Sequence, residues 1–557
     1  MMGVKRIQNI FPGKSLVPAK ADYVELKTSW KVDIPAGLTV GIVALPLALA
    51  FGVSSGVGPA AGLVTAVIAG LVAAIFGGSN VQVSGPTGAM AVILAPLVAA
   101  VHGVNSVALL SIMAGVIVVL LGVTGLGRAV AFIPWPVVEG FTLGIATIIF
   151  LQQFPSAFSV DLPAGTNPLQ GAVYTLQNLS GTSAMSIAMV LGVAVLMVVL
   201  PKIHPAIPAS LVAVIVAAVA ATLLNLQVPR IGELPNQLPA PVMPEVNMDL
   251  ISSLAGPALA IAALAAIESL LSARVASTMP GPSGQTTGPY HPDRELFGQG
   301  LASVASGFFG GMPATGAIAR TAMNVRSGAR TRASAIIHAL LLLGVVYLAS
   351  GWVGQIPLSA LAGVLMVTAV RMVNLDTIFR IFRSTRADAV VFTVTALITV
   401  VFDLIEAIQI GIAAAAFFAL WQVAKLSGVV REEIPGAAEP EDRNIALMRV
   451  EGSMFFGAAE RVLQEIGGLK DINVVILRLS SIRVLDATGA NAFAELIKEL
   501  HNHDVTVLVK GVQDQHWRLF KNVGGFSALA KQGLLFDELE PAVAKARSIA
   551  REREELR

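Results

Sequence analysis

One long uncharged stretch decides what kind of fold this chain can adopt. Between Ile34 and Gly127 the sequence contains no Asp, Glu, Lys or Arg. Only 13% of all residues are charged, against about a quarter in ordinary soluble proteins, and more than half of the charged residues lie in residues 429–557. The preceding residues therefore predict a membrane domain, and the charged remainder predicts a soluble one.

The apolar segments predict fourteen membrane spans, at roughly 20 residues per crossing. They are 33–53, 57–77, 86–101, 105–124, 132–154, 184–201, 207–226, 250–275, 295–311, 315–326, 332–351, 355–372, 387–402 and 404–427. Seven spans precede the Pro-rich loop 227–249 and seven follow it, so the two halves are predicted to have opposite orientations. The fold class is an α-helical polytopic membrane protein, with a 7+7 inverted repeat (33–227 and 250–428) in a transmembrane domain of residues 33–428.

The basic residues predict the orientation of these spans. With residues 1–32 as a cytoplasmic N-terminal tail, the clusters Arg326–Arg332 and Arg371–Arg386 fall in internal loops, as the positive-inside rule requires. An even number of crossings returns the C-terminus to the same side. We expect a multi-pass protein of the cell membrane, inner or plasma, with lipid around its spans and both termini in the cytoplasm.

Two of the predicted segments, the third and the tenth, are too short to cross a membrane alone. The motif Val83-Ser-Gly-Pro-Thr-Gly-Ala-Met-Ala91 leads into the third, and Met312-Pro-Ala-Thr-Gly-Ala-Ile-Ala-Arg320 leads into the tenth. Pro and small residues interrupt each apolar run, which predicts half-helices completed by extended backbone. Helix N-termini carry free N–H groups and partial positive charge, so two of them meeting near the bilayer midplane predict an anion site.

The C-terminal region has the pattern of a small α/β domain. After a linker at 429–441, the domain 442–557 contains predicted strands at 445–450, 474–479 and 505–509. Predicted helices at 458–466, 489–501 and 513–522 alternate with them. The tail 540–557 is either a charged helix or a frayed end.

Motifs in both regions resemble a known family. The motifs are Val83-Ser-Gly-Pro-Thr-Gly-Ala89, Ala266-Ile-Glu-Ser-Leu-Leu-Ser-Ala273, Thr315-Gly-Ala-Ile-Ala-Arg-Thr-Ala-Met-Asn324 and Arg326-Ser-Gly-Ala-Arg-Thr331. Together they resemble the SulP sulfate-permease-type anion transporters over nearly the whole chain. Val484-Leu-Asp-Ala-Thr-Gly489 resembles the STAS domain. The resemblance implies a core bundle and a gate bundle, a homodimer, and elevator-like movement of the core.

Glu268 is the acidic residue inside the eighth predicted span. An intramembrane carboxylate is costly and usually functional, and the resemblance places Glu268 and Ser272, one turn on, beside the substrate. Protonation would remove the repulsion between Glu268 and an anion, so we assign H+ coupling to it. Sodium-coupled relatives carry Asp and Thr at this pair, which makes Na+ the less favoured ion. The alternative is a structural carboxylate that caps a helix or pairs with Arg320.

The other predicted substrate contacts come from the broken spans and the first span. They are Thr87, Gly88, Ala89, Thr315, Gly316, Ala317, Arg320 and Pro46. The small residues would offer backbone N–H groups and two hydroxyls, or they serve close helix packing. Arg320 either attracts the anion or extends toward the cytoplasmic surface, and Pro46 either lines the cavity or only kinks its helix.

Thr488 is the predicted regulatory residue of the C-terminal domain. It occupies the place where soluble STAS relatives carry a phosphorylated Ser or Thr. The alternative is that Asp486 or Thr488 caps the helix that follows.

These features predict a secondary active transporter of small anions, of the sulfate or bicarbonate type, that is proton-coupled or exchanging. No ATP-binding GxxxxGK[ST] motif is present. One alternative is a C4-dicarboxylate/proton symporter, and another is a membrane-tethered STAS regulatory protein. We expect no enzymatic activity, cofactor or metal, and the net charge of +2 predicts no nucleic-acid partner.

Overall fold

The computed structural model describes two compact units, within residues 1–412 and 413–557. The described residues are 16–18, 23, 25–99, 105–127, 134–163, 166–179, 181–204, 207–244, 246–282, 284, 286–401, 410, 413–414, 416–418, 420–421, 428–454, 472–523 and 526–555. The predicted fourteenth span falls largely outside these ranges, and the predicted helix 458–466 falls entirely outside them.

The first unit is helical apart from two very short strands, β1 (Ser84–Gly85) and β2 (Thr315–Gly316). Its helices are α1 (Leu26–Ser54), α2 (Pro59–Phe76), α3 (Gly88–Ala99), α4 (Asn105–Val123), α5 (Trp135–Gln152), α6 (Phe154–Phe158), α7 (Pro168–Gln177), α8 (Gly181–Ile203), α9 (Ala209–Leu223), α10 (Met248–Thr278), α11 (Pro292–Phe308), α12 (Ile318–Arg326), α13 (Arg332–Val353), α14 (Leu358–Met372), α15 (Leu375–Arg383) and α16 (Arg386–Val401). In the described ranges, eight helical segments are long and apolar enough to cross a membrane.

Several of these helices carry apolar side chains on their outer faces as well as their inner ones. On α13, Leu348 is 86% exposed and Trp352 is 83% exposed. A helix that is apolar all round is typical of a membrane span, because water would not solvate its outer face. α1 begins at Leu26, so the last part of the predicted N-terminal tail is helical.

The helices pack as two bundles. α1 to α4 pack with α10 to α13, and α5 to α9 pack with α14 to α16. The main contacts between the bundles are those of α1 with α9 and α14 and of α3 with α5. This arrangement agrees with the expected core and gate.

The contacts inside the first bundle repeat between the two halves of the chain. α1 and α2 both pack on α13, and the corresponding helices of the second half, α10 and α11, both pack on α4. In each half a two-residue strand precedes a short helix, α3 at Gly88 or α12 at Ile318. The two predicted half-helices are thus present at equivalent places in the repeat.

The second unit contains a five-stranded sheet in the order β3-β4-β5-β6-β7. Its strands are β3 (Gly428–Glu432), β4 (Ile445–Met454), β5 (Val474–Leu485), β6 (Thr506–Lys510) and β7 (Leu535–Phe536), and its helices are α17 (Ala487–Asn502), α18 (Asp514–Val523), α19 (Ser527–Lys531) and α20 (Leu539–Glu555). β3 runs antiparallel to β4, and the other neighbours are parallel. Residues 429–432, the predicted start of the linker 429–441, belong instead to the edge strand β3. The charged tail forms α20.

Ion pairs fasten α20 to the 3-10 turn Pro440–Asn444. The guanidinium of Arg547 donates to both carboxylate oxygens of Asp442 at 2.8 Å. This bidentate bond holds the pKa of Asp442 below its usual value. Nε of Arg551 donates to one oxygen of Glu441 at 2.7 Å, and this bond lowers the pKa of Glu441.

Candidate functional site

An antiparallel pairing of β1 and β2 brings the two broken spans together. Ser84 lies opposite Gly316, and Gly85 lies opposite Thr315. Gly85 has a φ of +152°, a conformation open to glycine. A Cβ atom on Gly316 would lie 1.5 Å from Nε2 of Gln82. This pairing of β1 with β2, which we call the crossing, therefore depends on a glycine in each strand.

Glu268 of α10 joins the two broken spans through a single carboxylate oxygen. The hydroxyl of Thr87 donates to Oε2 of Glu268 at 3.0 Å, and the hydroxyl of Thr315 donates to the same atom at 2.8 Å. Thr87 is the residue before α3, and Thr315 lies in β2. Thr87 and Thr315 were predicted for the site from separate segments, and both therefore meet Glu268, a third predicted residue, at its Oε2 atom.

Arg320 lies in the first turn of α12 and is 3% exposed, so it does not extend to the cytoplasmic surface. Its Nη2 donates to the carbonyl of Pro86 at 2.6 Å, and its Nη1 has no hydrogen-bond partner among the described residues. Its charge acts on Glu268 across the crossing. The side chain thus places positive charge beside the break in both spans.

The first N–H groups of each half-helix do not take part in the hydrogen bonds of the helix itself. The first helical bonds run from Ala91 to Thr87 and from Thr321 to Ala317, so the three N–H groups before each are not used by the helix. In α3 these include the predicted donors Gly88 and Ala89. In α12 they belong to residues 318–320, and the first two of these are exposed.

Two predicted N–H donors have partners inside the protein. The N–H of Gly316 donates to the hydroxyl of Ser269 at 3.0 Å, and the N–H of Ala317 donates to the carbonyl of Val83 at 2.9 Å. The N–H of Ala317 is thus used by the neighbouring segment and that of Gly316 by α10, because α12 begins at Ile318, three residues after the predicted start of the tenth span. The second half-helix therefore offers the N–H groups of the next residues instead.

Ser272 is buried and faces a different partner from the one expected. Its hydroxyl donates to the hydroxyl of Thr321 at 3.1 Å, and that oxygen accepts the N–H of Val83 at 3.1 Å. Ser272 thus helps to hold the backbone before α3. The sequence analysis missed Thr321 and Ser269. Both are polar residues within the quoted motifs, but their partners are distant in sequence.

The two remaining predicted residues lie elsewhere. Pro46 is buried in the interior of α1, the helix that contacts both bundles. Thr488 is exposed in the first turn of α17. The N-cap of that helix is Asp486, whose carboxylate accepts the N–H of Gly489 at 2.7 Å.

Two buried carboxylates outside the crossing were also missed. Glu295 in α11 accepts the N–H groups of Gly78 and Ser79 at 2.7 and 2.8 Å and the side-chain amide of Gln299 at 2.9 Å. Asp33 in α1 accepts two backbone N–H groups and two hydroxyls from segments around α1 and α13. In the part of the chain that the structure describes, no group of three or more His, Cys, Asp or Glu is placed to hold a metal.

Comparison with known proteins identifies the family of this chain. The model of the "Sulfate permease family" matches residues 30–395, and the model of the "STAS domain" matches residues 438–544. The first match alone covers more than half of the sequence. The chain belongs to the sulfate permease family. It is accordingly an anion transporter of the sulfate and bicarbonate type.

Relatives of this chain cover nearly all of it. It is 32% identical over 511 residues to "Putative sulfate transporter YvdB" of Bacillus subtilis, spanning 90% of this chain and 95% of that one. It is 29% identical over 530 residues to the bicarbonate transporter BicA of Picosynechococcus sp., spanning 88% and 91%. The solved structure of SLC26A9 matches it with a TM-score of 0.81 at 16% identity, covering 99% of this chain and 95% of that chain. This last likeness supports the fold alone.

Proposed function

We propose that this chain is a secondary active transporter of small oxyanions, sulfate or bicarbonate, driven by proton symport or by anion exchange. The observation that carries the proposal is the meeting of two half-helix N-termini with Arg320 and Glu268 at one crossing. N–H groups and a guanidinium at this place supply donors and positive charge for an anion. Glu268 supplies a carboxylate that a proton can neutralise.

The names of two relatives guide the choice of substrate. YvdB bears a sulfate-transporter name, and BicA is named as a bicarbonate transporter. A site formed mostly by backbone donors suits either oxyanion, because N–H groups recognise oxygen atoms and negative charge more than the shape of the ion. The substrate-binding set we propose is Thr87, Gly88, Ala89, Thr315, Arg320 and the first N–H groups of α12, with Ser272 and Gly316 positioning them.

The two-bundle arrangement supports an elevator-like mechanism. The crossing, Glu268 and Arg320 all belong to the first bundle, α1–α4 with α10–α13. If this bundle slides past α5–α9 and α14–α16, the anion crosses the membrane with its binding residues. We propose that the second bundle stays fixed in a homodimer in the cell membrane, with both termini in the cytoplasm.

Uptake into proteoliposomes tests the function directly. The panel consists of labelled sulfate, bicarbonate, fumarate and succinate, each with and without an inward proton gradient and with sodium replaced by potassium. We expect accumulation of sulfate or bicarbonate that grows with the proton gradient and does not need sodium. Uptake of only fumarate and succinate would show that the substrates are C4-dicarboxylates and not oxyanions. A requirement for sodium would show that the coupling ion is Na+ and not H+. No uptake of any anion would contradict the proposal.

A chain truncated after residue 427 tests the regulatory alternative. Transport retained by this variant would show that the membrane unit is the working part. Loss of transport with a properly inserted membrane unit would favour a role centred on the STAS domain.

A further inference from the structure

We propose that the hydroxyls of Thr87 and Thr315 act as a two-position hydrogen-bond switch that couples the proton on Glu268 to the anion. They donate to Glu268 when it is ionised and to the transported anion when it is protonated. This inference rests on the proposed function and specifies how its coupling works. It starts from the observation that both hydroxyls donate to the same atom, Oε2 of Glu268.

A threonine hydroxyl has one hydrogen to donate and two lone pairs to offer. The hydroxyl oxygens of Thr87 and Thr315 lie 3.0 and 2.8 Å from Oε2 of Glu268, and the carbonyl of Gly316, at 3.3 Å, is a longer second acceptor for Thr315. When Glu268 is ionised, both hydrogens are donated to its carboxylate. Each hydroxyl can then present only lone pairs to an anion at the half-helix N-termini. These lone pairs and the carboxylate repel an anion together, so the ionised state disfavours substrate.

Protonation of Glu268 reverses the direction of these bonds. The new O–H of Glu268 can donate to the oxygen of one threonine, and both threonine hydrogens become free to turn toward the anion. Only rotation about Cβ–Oγ1 bonds is needed, and the backbone of β2 and the residue before α3 can stay in place. One proton taken up from one side of the membrane therefore supplies two additional donors to the substrate and is released with it on the other side.

The charges around the crossing agree with this order of events. Of the elements that pack on α10, α12 contributes Arg320, whose charge acts on Glu268. α11 carries Asp293, Arg294 and Glu295 in its first turn, where Glu295 is bonded to backbone N–H groups of another segment. When a proton neutralises Glu268, the positive charge of Arg320 is left for the anion. Nη1 of Arg320, which has no partner among the described residues, is available to donate.

The alternative is that the two hydroxyls only fasten the half-helices to α10. If the hydroxyls only hold the half-helices against α10, it does not matter which group donates the hydrogen. A switch requires that each hydroxyl hydrogen can move from Glu268 to the anion. Substitution to Val keeps the shape and removes the hydroxyl, and substitution to Ser keeps the hydroxyl. Proton linkage of anion binding separates the two roles, because a fastening bond affects stability without tying the anion to the proton.

The experiment measures proton uptake on addition of sulfate to the purified full-length protein in weakly buffered detergent solution. Sulfate is the probe because, unlike bicarbonate, it does not itself exchange protons near neutral pH. The wild type should take up protons as sulfate binds, and its sulfate affinity should fall as the pH rises. Glu268→Gln should show no sulfate-dependent proton uptake.

The double variant Thr87→Val/Thr315→Val should bind sulfate about tenfold or more weakly at low pH, since two donors to a charged ligand are lost. Its affinity should then vary much less with pH than that of the wild type. The Ser double variant should retain both properties. Thr393→Val is the matched control, because the hydroxyl of Thr393 donates to the carbonyl of Ala389 in its own helix, outside the site. If the double Val variant does not fold, the single variants Thr87→Val and Thr315→Val are measured instead. Each should show a partial loss of sulfate affinity and of its pH dependence.

A double Val variant with unchanged proton uptake per bound sulfate would overturn the switch while leaving transport itself intact. If sulfate does not bind, the same variants are compared by the pH dependence of the half-saturating concentration for labelled bicarbonate uptake. A wild type that binds and transports neither anion contradicts the proposed function, and the switch falls with it.

Discussion

Two carboxylates lie within the membrane unit of this chain, and their donors differ. Glu295 accepts two backbone N–H groups and one side-chain amide. Glu268 accepts two threonine hydroxyls. A backbone N–H can only donate, and its position is fixed by the chain, whereas a hydroxyl can donate or accept and can rotate.

This difference separates a structural carboxylate from one that can change its charge. A proton on the bonded oxygen of Glu295 would face two N–H hydrogens, with no acceptor to receive it. A proton on Glu268 finds hydroxyl oxygens that can accept it. The nature of the donor therefore distinguishes Glu295 from Glu268 as a candidate for the proposed coupling, even though both are acidic residues within the membrane unit.

The comparison predicts its largest effect for Glu295→Ala. Loss of this carboxylate leaves the N–H groups of Gly78 and Ser79 buried without a partner, which should cost about 3–5 kcal/mol of folding stability. Glu268→Ala should cost about 1 kcal/mol or less, because the released threonine hydroxyls can bond to nearby carbonyls. Thermal unfolding of the detergent-solubilised variants, followed by size-exclusion chromatography, measures both. Equal losses of stability would remove the distinction between the two sites.

Gly316→Ala tests the rigid part of the crossing, independently of either carboxylate. The added Cβ would contact the side-chain amide of Gln82, and overpacking of this kind costs about 1–3 kcal/mol. We expect reduced transport at every pH, with the pH dependence preserved. Gly192→Ala is the control, since a Cβ at Gly192 meets no atom within 4 Å. A variant with full activity would show that the strand pairing tolerates displacement.

Glu268→Gln tests the coupling itself. The amide keeps the size of the side chain and cannot exchange a proton, so accumulation driven by a pH gradient should be abolished while the fold is retained. One pH unit of lost driving force corresponds to about 1.4 kcal/mol. Proteoliposome uptake with a series of internal pH values measures this. A variant that still concentrates substrate with the wild-type pH dependence would show that another group carries the proton.

The smallest effect concerns a carboxylate outside the membrane, Asp442. Its pKa is lowered by the bond from Arg547, so the stabilisation is fully present above the unfolded-state pKa of Asp and is lost as the pH falls through the lowered pKa of the folded state. A partly exposed pair of this kind contributes about 1 kcal/mol or less. Protection of residues 440–444 against hydrogen exchange in the full chain, corrected for the intrinsic exchange rate at each pH, should fall at acidic pH in the wild type. In Arg547→Gln the exchange should be fast already at neutral pH, with little further change.

The locally encoded parts of the crossing could be predicted from the sequence. Pro86 and Pro313 break their apolar runs because proline lacks an N–H, so the half-helices could be placed to within a few residues. An acidic residue inside an apolar span identified Glu268, because such a residue is rare without a function. The main strands of the second unit followed from their buried Val, Ile and Leu.

Bonds between distant segments could not be predicted in this way. Ser272 shares a face with Glu268 in sequence spacing, yet its hydroxyl is bonded to Thr321. Ser269, which receives the N–H of Gly316, carries no local signal at all. β3 was taken as linker because its few polar and apolar residues become a strand only by pairing with β4.

The crossing of β1 and β2 also has a consequence for how the protein is made. Arg320 and the carbonyl of Pro86 that it contacts are 234 positions apart, so the ribosome has delivered the first broken segment long before its counterpart exists. During that interval the peptide groups of residues 83–87 need temporary partners, such as water or the insertion machinery. Assembly of the crossing therefore waits for the entry of the second broken segment, and only after that can a nascent chain become competent to bind its cargo.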